Sequence, residues 1–483
     1  MPSDSGAARL MYPELPEPLT DADLHRLFTP SYQERKWAPT IARTAASQVA
    51  LLVQLKLLQT IGRFRRAEEI PTRIVEHIAR ELGVQGDASA RAPDRTLYRH
   101  RPAVLAYMGI TSWGAPARAL AEVTILRVAR TRTDPADLIN AAVDALVRHR
   151  FELPALSSLR RLAGSAHSAV NAAQWSEVCE QVSDSKRSAL EALFVVDEDT
   201  QESPFALICR APGRPSRKNL KALMERHHWL EQLPDPTAPL ASIADSKVLQ
   251  WANEARRLKA PELRNYVATR RYTLLLAVLR QARGQVLDDL TQMLLRLARR
   301  VEWKSEQTLS EWYVSKRGHT DSIIRTFHES LLIQAGSDEP AQKIARMDAL
   351  FAAHGGREAL EKGCAEYLRH EKKNWRPFAH AAFLPFRAPL LQVADVLPLQ
   401  CTDNSSDLLR ILGATVGELP PYDDYVRIEN VGPQAVPRDW HSLVHDLPDD
   451  PQVFNRRQSE VLAVLELAAA IKAGEMFVNG SLS

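Results

Sequence analysis

The chain has 483 residues, a formal charge of +3, 45% hydrophobic and 25% charged residues, the make-up of an ordinary globular protein of several domains rather than a disordered or collagenous one. Its four cysteines, Cys179, Cys209, Cys364 and Cys401, lie far apart with no CxxC spacing, which argues against a zinc ribbon or a disulfide framework and fits a reducing cytoplasm. The N-terminal MPSDSGAARL has no apolar signal core, and the apolar run Leu274–Leu279 is far below the roughly 20 residues a membrane helix needs.

Few glycines and aromatics, with many Ala, Leu and Arg, predict a mainly α, multidomain protein. Apolar residues recur at helical spacing over 47–59, 72–82, 116–130, 186–196, 217–230, 245–258 and 264–300. The one short strand candidate is Phe205–Cys209. Gly- and Pro-rich breaks predict four parts: helical modules over 1–115 and 116–235, a helical linker over 236–310, and a mixed region over 311–483.

In chain order, the first basic cluster is Asp94-Arg95-Thr96-Leu97-Tyr98-Arg99-His100-Arg101-Pro102. Either Asp94 caps a helix that presents Arg95, Arg99 and His100, or the helix begins at Pro102 and leaves the arginines in a loop. Next, Asp134-Pro135-Ala136-Asp137 supplies an N-cap, a first-position proline and a first-turn acid. The helix it starts, with Leu138, Ile139, Ala142 and Leu146 on one face, runs to Arg148 and Arg150. Phe151-Glu152-Leu153-Pro154 then turns into a short helix, Ala155–Ala163, closed by Gly164. It turns Leu156, Leu159 and Leu162 inward and Ser157, Ser158, Arg160 and Arg161 outward. This matches a helix-turn-helix, whose second helix enters the major groove, and equally a plain helical hairpin.

Pro212-Gly213-Arg214-Pro215-Ser216-Arg217-Lys218 is either an extended AT-hook-like segment for the minor groove or a basic loop capping the next helix. Charge is concentrated in two stripes. Residues 91–165 hold 12 Arg, no Lys and 6 acids, an excess of six positive charges; residues 255–300, including Arg270 and Arg271, hold 11 basic and 3 acidic residues, an excess of eight. Such stripes suit a phosphate backbone, and Arg also forks onto guanine edges.

Catalytic constellations are not found. Phe194-Val195-Val196-Asp197 reads as a helix end rather than a nuclease strand, since no partner carboxylate strand accompanies it. His354-Gly355-Gly356-Arg357 has the His-x-x-Arg spacing of tyrosine recombinases without their other motifs. No Walker loop, GxSxG or HExxH is present.

An ordered series of segments resembles the Tn-three family of replicative transposases. It comprises Leu19–Thr29, Gln48–Lys56, Gly62-Arg63-Phe64, Ile70-Pro71, Leu82-Gly83-Val84, Arg95–Arg101, Asp134–Asn140, Arg148–Pro154, Gly213–Ser216, Arg270–Leu275 and Ala473–Ser481. The resemblance implies tandem N-terminal domains that bind the terminal inverted repeats of a transposon as double-stranded DNA, near the nucleoid. It also implies that 1–115 and 116–235 are the DNA-binding domains and 311–483 a dimerisation or scaffold region, with a homodimer or association with a catalytic transposase, and no membrane partner. In the family, strand cutting belongs to an Asp-Asp-Glu site with divalent metal in a later half. The chain ends at Ser483, so the expectation is DNA-end binding without cutting, and no cofactor or metal. The alternative is a regulator or scaffold that pairs with a full-length transposase through residues 240–483.

Overall fold

The computed structural model describes residues 10–482 except 85–92, 199–200, 212–215, 371–372, 403–405, 417–423, 433–434, 446–449 and 451. Side-chain oxygens of Thr20, Ser31, Thr44, Asp134, Ser183, Ser216 and Asn455 accept backbone N–H groups at helix starts, satisfying donors that a helix leaves open. Gly62, Gly109 and Gly474 end helices with left-handed φ values of 70°, 62° and 75°. The described residues are mainly helical, as composition predicts.

The chain folds as two interleaved units, Met1–Ala206 with Asp235–Val278, and Leu207–Pro234 with Leu279–Ser483. Residues 116–235, expected as one part, fall in both units. Packing joins segments that are distant in sequence.

The first unit begins with α1 (Asp21–Asp23), a π-helical turn (Leu24–Phe28), α2 (Tyr32–Ile41), α3 (Ala45–Ile61), α4 (Thr72–Glu81) and α5 (Asp94–Met108). These elements surround α3, which is buried without a break from Val49 to Leu58. Its one charge there, Lys56, meets Glu34 at 2.7 Å. Burial pushes the Glu34 carboxyl up, but hydrogen bonds from Lys56, Gln59 and the Ser31 backbone outweigh it and leave its pKa lowered. A second core is made by α6 (Ala115–Ala129), α7 (Pro135–Arg148) and α8 (Leu156–Glu180), with Ala117, Ala121, Ile125, Leu138, Leu146 and Leu159 at its centre. After α9 (Asp184–Ala192), the segment expected as a strand is instead helix α10 (Pro204–Cys209). Ser203 and Pro204 are a helix start, and Phe205 and Ile208, three apart, are both buried.

The turn from α7 to α8 is braced by the first core. Leu153 donates its N–H to the Gly62 carbonyl at 2.8 Å. A Cβ on Gly62 would lie 2.8 Å from Leu153 Cδ1, on a backbone that already favours glycine. Gly62→Ala should therefore cost about 2–4 kcal/mol, combining left-handed strain with overpacking; an unchanged urea midpoint would contradict this.

The first unit is completed by α12 (Asp245–Arg256), α13 (Ala260–Arg264) and the opening residues of α14 (Ala268–Ala335). Lys247 of α12 is fully buried, its ammonium donating to Asn171 Oδ1 at 2.6 Å and Gln174 Oε1 at 3.1 Å. No acid compensates it in these bonds, and burial lowers its pKa from the ordinary 10.5 to about 8. The folded state therefore binds this proton less tightly than the unfolded chain. The penalty is complete below about pH 8 and is relieved as pH rises towards 10.5. Stability relative to Lys247→Met should rise by about 2–3 kcal/mol across that window. Denaturant titrations at pH 7.5 and 10 check this; parallel curves for the two proteins would contradict it.

In the second unit are α11 (Arg217–Gln232), the rest of α14, α15 (Pro340–Ala353), α16 (Arg357–Leu368), α17 (Ala379–Phe383), α18 (Arg387–Val396), α19 (Ser406–Val416), α20 (Arg438–Val444) and α21 (Arg456–Ala473). Two antiparallel ladders join them: β1 (Leu399–Cys401) with β4 (Met476–Val478), and β2 (Tyr425–Arg427) with β3 (Val453–Asn455). Helix α21 is the centre of this core, buried from Ser459 to Leu465. The end segment Met476–Leu482 closes on α14. Leu482 donates its N–H to Asp288 at 3.1 Å, and a Cβ on Gly284 would meet Leu482 at 2.7 Å.

Candidate nucleic-acid interface

Helices α6, α7 and α8 form a three-helix unit in which α8 follows α7 after a short turn, the expected helix-turn-helix order. Helix α8 does not stop at Gly164, however, and continues to Glu180. Ala163, Ala166, Asn171, Gln174 and Val178 keep a buried face running beyond the glycine, so the helix loses only the modest propensity that Gly withholds.

The turn is fixed from several directions. Thr111 and Phe151 bridge in parallel, Thr111 donates to the Arg150 carbonyl at 2.9 Å, and Glu152 donates its N–H to the Thr111 carbonyl at 2.8 Å. The Glu152 carboxylate accepts from the Trp113 N–H at 3.2 Å, and burial holds its pKa raised. The Tyr12 hydroxyl donates to the Pro154 carbonyl while Arg63 donates to that hydroxyl. This cage sets where the first turn of α8 points.

That first turn is chemically open. Ala155 at its cap offers no side-chain acceptor and no acid occupies the turn, an arrangement hospitable to a phosphate. Along α8, Ser157, Arg160, Arg161, Gly164, Ser165 and Ser168 are all exposed. Their spacing puts them on one face, with two guanidinium groups flanked by small residues. Ser158 is half-buried and lines a cavity of about 490 Å³ with Arg63, Arg65, Trp113 and Glu152. Arg148, in the last turn of α7, is exposed. Arg150 is exposed too, but has a left-handed φ of 55° and sends Nη1 to the Met108 carbonyl at 3.4 Å.

The Asp94 cluster is a helix throughout, since α5 runs from Asp94 to Met108 with Pro102 inside it. Asp94 does not cap it; its carboxylate accepts the Ala67 N–H at 2.9 Å. Arg95 and Arg99 are exposed on α5. His100 points the other way. It is 3% exposed, 3.1 Å from Ser47 Oγ, with its pKa lowered first by burial and then by Arg99. It belongs to the core, sharing the inward face with Leu97 and Val104. Arg101 is half-buried, its guanidinium over the Tyr98 ring at 4.0 Å and the Phe64 ring at 5.0 Å.

Arg214 lies outside the described residues, as does the side chain of Arg217. Lys218 is exposed at the start of α11, where Ser216 caps the helix by accepting from the Asn219 N–H at 3.2 Å. Arg270 and Arg271 depart from the expected DNA-facing role. Arg270 pairs with Glu254 at 2.6 Å and stacks on Tyr266 and Trp175. Arg271 reaches Glu191 through Nε and Nη2 at 3.0 and 2.6 Å, and the Arg264 and Tyr266 carbonyls through Nη1 at 2.9 Å. Both tie helices together, because their partners arrive from distant sequence.

Arg118 and Arg127 of α6 and Arg130 at its C-cap belong to the basic stripe, and all three are exposed. Among the described residues, neither they nor Arg95, Arg99, Arg148, Arg160 and Arg161 pair with an acid. Helical phase is the signal for most of them, since Arg95, Arg99, Arg127, Arg148 and Arg161 fall away from the buried stripe of their own helices.

Residues 5–166, which include both cores of this region, match a family described as a domain of unknown function, DUF4158. The chain is 23% identical over 456 residues to the transposase for transposon Tn501 of Pseudomonas aeruginosa. It is 18% identical over 456 residues to the transposase for Tn1546 of Enterococcus faecium, and 21% over 458 to that for Tn2501 of Escherichia coli. Each alignment covers 91% of this chain and 44–45% of the relative, so the chain spans about half the length of the curated relatives it matches. The chain is thus similar to three transposases along nine-tenths of its own length, and its first third matches DUF4158.

Proposed function

We propose that these 483 residues recognise the double-stranded terminal inverted repeats of a transposable element, with α8 as the helix that enters the major groove. The observation that carries this reading is the α8 face. Two arginines with no acidic partner among the described residues stand among small side chains, on a helix whose start is held by the first core and left open for phosphate. Arg148 and the α5 pair Arg95 and Arg99 extend the positive surface for backbone contacts, which position a reader without specifying sequence. The kinship with transposases supplies the class of DNA.

Recognition is proposed here without strand cutting by these residues. Among the described residues no three carboxylates converge, whereas metal-assisted phosphoryl chemistry needs acids clustered about its ions. Asp197 sits in an exposed turn after α9, its backbone bonded to Gln201 and Glu202.

Hydroxyl-radical footprinting on the element's own terminal repeat tests the reading. A single protected tract within the repeat is expected, with supercoiled repeat DNA left unnicked in the presence of magnesium. Absence of protection would contradict recognition, and nicking abolished by Asp197→Ala would overturn the non-cutting assignment.

A second reading has one observation in its favour. Along α14, Val314, Ile324, Phe327, Leu331 and Leu332 are exposed apolar residues, more than a solvated helix needs, as a region that pairs with another transposase chain would have. Co-purification with a full-length transposase in the absence of DNA would support it; no association would count against it.

A further inference from the structure

Three side chains with transition-metal chemistry meet beside α4. His77 and Glu81 stand four residues apart on that helix, one above the other on a single face. His25, carried by the π-helical turn, lies over them, its ring centroid 4.8 Å from that of His77 with the planes at 90°. One ligand atom from each of the three lies within 4.8 Å of the other two. π-Helical turns are rare and recur at functional positions.

We propose that His25, His77 and Glu81 bind one zinc-class divalent cation, which fastens the π-helical turn to α4. Two imidazoles and a carboxylate suit zinc and disfavour magnesium or calcium, which prefer all-oxygen shells. Three protein ligands leave the fourth tetrahedral position to water. Ligand bonds of about 2.0–2.2 Å require neighbouring donor atoms to approach to roughly 3.4 Å, so the cluster must tighten slightly. The parts that move are the exposed His25 and the half-buried Glu81, while His77, 2% exposed, is the fixed point.

The surroundings match this use. Thr29 Oγ1 lies 3.0 Å from His77 Nε2, and Arg35 donates to one Glu81 oxygen at 2.7 Å. Such outer partners orient ligating imidazoles and carboxylates. A mere edge-to-face histidine pair accounts for the ring geometry, but not for a carboxylate brought to the same point. The His-x-x-x-Glu spacing is visible in the sequence; the third ligand, 52 residues earlier, is not.

The test uses the full untagged chain, stripped with EDTA and titrated calorimetrically with zinc chloride, with cobalt chloride as a spectroscopic probe. One zinc per chain and a cobalt spectrum of tetrahedral type are expected. His25→Ala, which removes an exposed side chain, should abolish both while leaving the melting temperature in EDTA unchanged. Glu81→Gln should weaken zinc binding about tenfold or more, as expected when a ligand loses its charge. Absence of zinc binding by the wild-type chain would overturn the proposal, as would undiminished binding by His25→Ala. DNA binding is read separately, so failure here leaves the α8 assignment standing.

Discussion

Replacing Arg160 and Arg161 together with Ala should weaken binding to the inverted-repeat duplex roughly a hundredfold or more. The expectation follows from about 1–3 kcal/mol for each arginine that contacts a base edge or an adjacent phosphate. Both side chains are exposed, so the fold has nothing to lose, and circular dichroism and melting temperature should be unchanged. The form of the loss is informative. If α8 reads bases, affinity for the repeat falls more than affinity for scrambled DNA, and discrimination shrinks. If the arginines touch only phosphates, both affinities fall together and the salt dependence becomes shallower. Unchanged affinity in fluorescence anisotropy titrations would remove α8 from the interface. Arg271→Ala is the opposite case: its guanidinium is engaged by Glu191 and two carbonyls, so its loss should appear first in stability.

Arg387→Ala should destabilise the second unit by about 3–5 kcal/mol. Arg387 grips Glu460 with two parallel hydrogen bonds, at 2.5 and 2.6 Å. The Glu460 side chain is 1% exposed on α21, the helix at the centre of that core. Removing the arginine leaves a buried carboxylate with neither water nor its counter-ion, and the penalty is the desolvation of that charge rather than the intrinsic worth of the pair. Replacing both residues, Arg387→Met with Glu460→Leu, should therefore recover most of the loss. Urea denaturation checks the pair of variants. A single variant as stable as wild type, or a double variant as poor as the single one, would contradict this account of the contact.

How much of this was legible in the sequence depended on how local the determinants were. Helix α7 was readable from Asp134, whose carboxylate accepts the Ala136 N–H at 2.8 Å, and from Pro135 at its first position. The outward residues of α8 followed from the period of Leu156, Leu159 and Leu162. Its length did not, because a glycine ends a helix only when its backbone turns left-handed, and Gly164 does not. Likewise α14 runs on to Ala335, just before Gly336, well past the expected 300. His100 could have been placed inside, since Leu97, His100 and Val104 mark one helical face. The fates of Arg270 and Arg271 could not be read locally, because their acidic partners stand 16 and 80 residues away. The four short strands pair across gaps of a similar kind: Leu399 with Val478, and Tyr425 with Asn455.

The most direct measurement is a competition gel shift of the intact chain on the transposon's own terminal repeat against a scrambled duplex at physiological salt. Preference for the repeat by about 10³-fold or more, the low end for sequence-specific readers, is the predicted result. Equal affinity for the two duplexes would contradict it, leaving the α8 arginines as a surface that holds any DNA and reads none.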